Sequence, residues 1–405
     1  MSDQSRRDTT LLVAARVVRL FAYGFLSVVL ALYLTAIGFS AQAVGALLTM
    51  TLVGDAGVSL WLTLRADQMG RRRTLMIGSV LMIGAGLAFA ITHDWLLLVV
   101  AAVIGVISPS GNEIGPFLSI EQAALAEVLP TDQRTHVFAW YQLAGAFATA
   151  LGSLCGGLLA HGLEQRGLAP VEAYRVILYA YAGSGTVLWL LFLRLSPAIE
   201  VTRSALPVTV KRKFGLHRSQ NVVARLSALF ALDAFAGGFV VQSLLAYWFH
   251  IRFGADERLL GEIFFGANLL AGVSALAASR LAARIGLLNT MVATHLPSNV
   301  LLCLVPFMPT LPLAITVLLL RFSISQMDVP TRQSYTMAVV APDERSAAAG
   351  ITGIARSIGA SVAPALSGLL LPVAPAALFL ISGGLKIVYD LLLYRSFTRL
   401  KPPEG

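Results

Sequence analysis

Nine long runs of this chain contain no Asp, Glu, Lys or Arg: 20–54, 75–93, 95–112, 135–163, 176–193, 234–251, 263–279, 285–320 and 357–385. A helix crossing the hydrocarbon core of a bilayer needs about 20 apolar residues. Each run therefore supplies most of one crossing, and three are long enough for two. Splitting those three at GFSAQ (38–42), at MPTLP (308–312) and near Pro372 to Pro375 predicts twelve helices. The expected bounds are 11–37, 43–64, 74–92, 95–118, 136–160, 173–195, 222–250, 259–280, 286–307, 311–336, 346–370 and 374–394. Composition agrees: 57% hydrophobic and 13% charged residues over 405 positions exclude a soluble enzyme, a disordered chain and a free nucleic-acid binder. Cys155 and Cys303 lie inside apolar runs, so they imply neither a disulfide framework nor a thiolate metal site. The apolar run from Leu11 to Ile37 exceeds a signal-peptide core and lacks a small-residue cleavage site, so it reads as the first span.

The net charge of +9 gains its meaning from position. On the twelve-helix frame, 21 of the 30 Lys and Arg gather on one side, among them Arg71, Arg72, Arg73, Lys211, Arg212, Lys213 and Arg332. Arg166, Arg175, Arg252 and Arg258 fall on the other. By the positive-inside rule both termini are cytoplasmic. The expectation is a multi-pass protein of a plasma (bacterial inner) membrane. Segment 196–220 is the long polar connection, and it divides a six-helix bundle at 1–195 from another at 221–405 as a cytoplasmic central loop.

An internal repeat relates the two bundles. At an offset of 216, Gly38, Gly45, Gly70 and Thr74 meet Gly254, Gly261, Gly286 and Thr290. At an offset of 211, Gln122, Asp132, Arg134, Ala144 and Gly157 meet Gln333, Asp343, Arg345, Ala355 and Gly368.

The loop between the second and third predicted helices reads Thr63-Leu64-Arg65-Ala66-Asp67-Gln68-Met69-Gly70-Arg71-Arg72-Arg73. It resembles the cytoplasmic signature of the major facilitator superfamily (MFS), Gly-x-Leu-Ala-Asp-Arg-x-Gly-Arg-Arg, at Asp67, Gly70, Arg71 and Arg72. Thr63, Arg65 and Gln68 depart from it. The resemblance implies an all-α membrane protein of twelve transmembrane helices in two pseudo-symmetric bundles, with this loop as a cytoplasmic latch between them. In the second half Ala283 stands where the acid would be. Further on, Gly152-Ser153-Leu154-Cys155-Gly156-Gly157 is similar to the Gly-Pro-x-x-Gly-Gly motif of the drug and metabolite exporter branch, with Ser153 replacing the proline. Its repeat mate Ala363-Pro364-Ala365-Leu366-Ser367-Gly368 keeps Pro364 and Gly368. The resemblance gives Gly152, Gly156, Gly157, Pro364 and Gly368 a role as an interface hinge. The fourth-helix arginine of many drug-proton antiporters is absent, while Arg321 in the tenth helix is its rough counterpart.

Ionisable groups inside spans are costly unless paired or hydrated, so they mark pathways or structural pairs. Arg16, Arg19, Arg321, Arg356 and Lys386 are balanced by Asp55, Glu113, Asp233, Asp328 and Asp390. Arg16, Arg19 and Tyr23 share one helical face, as do Arg321, Ser325, Asp328 and Arg332. In the superfamily, helices 1, 4, 7 and 10 line the central cavity. The candidates for the substrate and proton pathway are therefore Arg19, Tyr23, Glu113, Asp233, Arg321 and Asp328, each with an interhelical structural bond as the alternative. Lys386 and Asp390, four apart, are expected to pair locally, and Asp55 is a candidate partner for Arg19. His295 reads as a core histidine, and Trp95 and Trp248 as interfacial anchors.

The expected function is secondary active transport of a small organic solute by alternating access, as proton-coupled efflux. An uptake symporter or facilitator is the alternative. A membrane-embedded enzyme would need a convergent catalytic cluster that is not visible. The expected partners are a small-molecule substrate, protons and the lipid bilayer, with no nucleic acid, cofactor or metal, and the protein is expected to be a monomer.

Overall fold

The computed structural model describes residues 3–111, 116–200, 216, 218–341 and 344–398, with the side chains of Asp67, Thr131, Asp132, Thr135 and Ser346 left aside. Every regular element among them is helical. Eight of the twelve expected helices are single rods: α3 (Ala41–Met69), α4 (Arg71–Ile91), α7 (Thr131–Gln165), α8 (Pro170–Leu193), α11 (Glu257–Ile285), α12 (Leu287–Leu304), α15 (Arg345–Leu370) and α16 (Pro375–Phe397). The first, fourth, seventh and tenth are each broken in two. They comprise α1 (Asp3–Ser27) with α2 (Leu30–Ala36), α5 (Trp95–Ile104) with α6 (Phe117–Val128), α9 (Gln220–Gly238) with α10 (Gln242–Phe253), and α13 (Leu311–Ser325) with α14 (Asp328–Ala338). Among the described residues, eleven helices are long and apolar enough to cross a membrane, and α5 of the expected span 95–118 is a shorter apolar helix of ten residues.

Local chemistry accounts for the breaks. Between α5 and α6 lie Pro109 and Pro116, and between α9 and α10 the chain unwinds after Gly237 and Gly238. Pro330 has no N–H to return to the carbonyl of Gln326, where α13 ends. At the end of α1 the Ser27 hydroxyl donates to the Gly24 carbonyl, and Val29 N–H turns to Leu26 in a tighter ring.

The backbone repeats as the sequence does. Gly38 and Gly254 both have positive φ (100° and 66°), and so do Gly70 and Gly286 (95° and 85°). Thr74 donates to the Gly70 carbonyl at 2.9 Å, and its mate Thr290 donates to Gly286 at 2.8 Å. Arg134 and Arg345 each reach back to a preceding carbonyl, of Leu129 and Met337.

The chain forms two compact units. The first comprises Met1–Leu206 and Gln242–Phe265, the second Pro207–Val241 and Gly266–Gly405. In the first, α1 packs along α7 and α8, and α4 along α8; in the second, α9 packs along α15 and α16, and α12 along α16. Trp248 is not an interfacial anchor: it is 3% exposed, its ring against Phe249 and Phe253. Trp95 is exposed and meets Phe39 edge-on.

Candidate functional site

Five helices of the second unit converge on Asp233 of α9. Its Oδ1 accepts from Lys386 Nζ of α16 at 2.5 Å, and its Oδ2 from Arg332 Nη1 of α14 at 3.2 Å and Arg356 Nη1 of α15 at 3.0 Å. Arg332 Nη1 also donates to Asp328 Oδ2 at 2.8 Å, one turn earlier on α14. From α12, His295 Nε2 lies 3.8 Å from Asp233 Oδ1, while its Nδ1 is 2.8 Å from Asp390 Oδ1. Asn299 donates to the other oxygen of Asp390 at 3.0 Å. The charges rest on an apolar floor of Leu226, Phe230, Met291, Tyr335, Tyr389, Leu393 and Phe397. Such a floor withholds water, so each buried charge depends on its protein partners.

The first unit holds a smaller counterpart. Arg19 of α1 makes a two-pronged bond to Glu121 of α6, at 2.5 and 2.9 Å, with both side chains fully buried. Tyr141 of α7 donates its hydroxyl to Glu121 Oε2, and Phe117 lies 4.7 Å beneath the guanidinium of Arg19. Arg16 donates to Gln142 at 2.5 Å and covers the ring of Tyr141. Glu121 and Arg332 are repeat mates at the offset of 211. The two clusters are therefore built at equivalent places with inverted polarity: an arginine of the first span meets a carboxylate of the fourth, and a carboxylate of the seventh meets an arginine of the tenth.

The other predicted residues are placed as follows. Tyr23 is fully buried, its ring stacked 6.4 Å from that of Tyr181. Arg321 of α13 lies over Phe322 and makes no ion pair among the described residues; its Nε is buried without a hydrogen-bond partner. Glu113 lies outside the described residues, as does the side chain of Asp67. Gly70 makes the sharp turn into α4, where Glu200 accepts from the backbone N–H groups of Arg71 and Arg72 at 2.7 and 3.2 Å. The Arg71 side chain donates to the carbonyls of Ile199 and Ala123, and that of Arg72 to Leu193. Gly152 and Gly156 let α7 touch the backbone of α1: a Cβ on either would lie 2.1 Å from Phe21 O or 2.3 Å from Phe25 O. Gly157 meets Gly261 and the Glu257 carbonyl of α11. Pro364 sits inside α15 without ending it, and Gly368 lies in the last turn of that helix.

The Major Facilitator Superfamily profile matches residues 12–326. The chain belongs to the major facilitator superfamily. It is 31% identical over 417 residues to the "uncharacterized membrane protein YJR124C" of Saccharomyces cerevisiae, covering 96% of this chain and 93% of the relative. Among solved structures, the nucleoside transporter NupG superposes with a TM-score of 0.72 at 14% identity over 97% of this chain and 99% of its own. A D-xylose-proton symporter gives 0.72 at 14% over 96% and 97%. The human organic anion transporter MFSD10 gives 0.63 at 17% over 96% and 99%. Membership makes this multi-pass membrane protein a transporter and not an enzyme.

For this MFS chain, one pairing expected from spacing and one placement expected from topology are replaced. Lys386 and Asp390 do not pair with each other: they lie on neighbouring turns of α16, and Lys386 binds Asp233 while Asp390 binds His295 and Asn299. Arg19 binds Glu121, and Asp55 accepts from Ser59 one turn away. Arg332, counted among the cytoplasmic cations, is 7% exposed inside the cluster. Glu121 escaped notice because the fourth span was ended at 118; its place beside the matched pair Gln122 and Gln333 was the available signal.

Proposed function

We propose that this MFS protein is a proton-coupled exporter of a small organic solute. Bundles 1–195 and 221–405 alternate in access around the central loop 196–220, with both termini in the cytoplasm of a plasma membrane and a monomer as the working unit. The observation that carries the coupling is Asp233, buried and held by Lys386, Arg332 and Arg356 from three other helices. A proton on this carboxylate would weaken three interhelical ion pairs at once, so one binding event would alter the mutual hold of α9, α14, α15 and α16. The inverted cluster at Arg19 and Glu121 gives the first bundle a comparable tie, and Tyr23 belongs to its packed surroundings. Arg321 and Asp328 extend the site along the tenth span. The loop at Asp67, Gly70, Arg71 and Arg72 acts as the latch, with Glu200 fastening its helix start.

The export direction rests on the resemblance at Gly152 to Gly157. One observation favours the uptake reading: α7 runs unbroken through Ser153, whose hydroxyl bonds Thr149 O at 3.1 Å where the exporter pattern has a proline. Both readings are tested in proteoliposomes carrying a pH-sensitive dye. Solutes found by thermal shift in detergent should move protons when added, and an imposed gradient should drive them against the proton flow for export, with it for uptake. Solute flux indifferent to the proton gradient would contradict the coupling.

A further inference from the structure

We propose that the charge cluster of the second unit binds an organic oxyanion, a carboxylate or phosphate monoester, and that the transported solute is anionic. This rests on the reading of the chain as a transporter of a small organic solute. The first observation is the charge balance. Lys386, Arg332 and Arg356 carry three formal positive charges against three negative ones on Asp233, Asp328 and Asp390, and Arg321, seven residues before Asp328 on the tenth span, adds a fourth positive charge. Asp390 is turned towards His295 and Asn299, so two carboxylates directly serve the arginines and the lysine. A buried cluster with surplus positive charge is unfavourable in an apolar surround until an anion completes it.

The second observation is where the surplus sits. Arg321 makes no ion pair or hydrogen bond among the described residues, and its buried Nε–H has no acceptor. One turn along α13, the hydroxyl of Ser325 is likewise unpartnered at 4% exposure. These two groups, four residues apart, present hydrogen-bond donors on one helical face. Arg356 spends a single Nη on Asp233, and a third of its side chain is exposed. A fork of guanidinium N–H groups with a hydroxyl alongside fits the planar, two-oxygen edge of a carboxylate or the oxygens of a phosphate. A neutral or cationic solute would leave the surplus charge uncompensated.

Binding to the full-length protein in detergent, where no gradient exists, tests this separately from proton coupling. Thermal-shift titrations would use benzoate and glutarate against benzamide and glutaramide, and phenyl phosphate against phenol. The expected result is saturable stabilisation by an oxyanion of the panel and none by its neutral partner; the carboxylate and phosphate arms tell the two sources apart. Arg321→Gln should raise the midpoint concentration about tenfold, the loss of one charge-assisted contact, while Glu262→Gln, on the exposed α11 surface, should not move it. Because Arg321 makes no ion pair or hydrogen bond among the described residues, Arg321→Gln should also leave the unliganded melting temperature unchanged or higher. Equal responses to acids and amides, no saturable response to any oxyanion, or a lowered melting temperature for unliganded Arg321→Gln would each overturn the proposal. Oxyanion binding with proton-indifferent flux would uphold it and refute only the coupling.

Discussion

At the scale of single residues, the decisive feature is how each buried charge is shared. Arg19 and Glu121 form a two-pronged, fully buried pair, whereas Asp233 is divided among three cations. Breaking a buried pair by removing one partner leaves an uncompensated charge and costs about 3–5 kcal/mol. Glu121→Gln should therefore lower the melting temperature in detergent markedly, whereas the Glu121→Met, Arg19→Met double substitution should recover much of the loss. A double variant no more stable than the single one would show that the pair does not hold the first unit together. The sequence supplied most of the intramembrane charges, though not Glu121 or Arg332, and it did not supply their pairing. Helical spacing suggests neighbours such as Lys386 and Asp390, yet both reach across to other helices, where the low-dielectric interior makes partners scarce and each contact valuable.

Among elements, small residues set how closely helices approach, and prolines and glycines set where they break. Gly152 has no room for a methyl group against the Phe21 carbonyl. Gly152→Ala should force α7 from α1 at a cost of about 1–3 kcal/mol; an unchanged melting temperature would mean that the close crossing does not support the fold. At the α3–α4 turn, Gly70 has φ 95° and ψ 129°, a conformation costly for any residue with a Cβ. Gly70→Ala should cost about 1–3 kcal/mol, and its mate Gly286→Ala a similar amount, read by the same melts. These turns were legible as matched glycines at one offset. The break after α1 was less so: composition stays apolar through 28–29, and hydropathy counts apolar residues without registering a backbone interruption. The consequence reached the site, because a fourth span drawn as one rod ending at 118 placed Glu121 in a loop.

On the scale of the whole molecule, the repeat and the charge-free runs sufficed for the twelve-span architecture, and the resemblance at Asp67, Gly70, Arg71 and Arg72 for the family. What they could not convey is that the repeated clusters carry opposite polarity, since a repeat found by identity hides the positions at which the two copies diverge, as at Glu121 and Arg332. That divergence leaves a two-pronged arginine–glutamate pair in one unit and a carboxylate shared among three cations in the other. If Asp233 couples protons to solute movement, exchange of solute for solute and gradient-driven accumulation should separate. The most direct measurement compares the two in proteoliposomes containing wild type and Asp233→Asn, normalised to folded protein. The account predicts that Asp233→Asn retains solute counterflow while losing accumulation driven by an imposed proton gradient. Retention of gradient-driven accumulation by Asp233→Asn would contradict it.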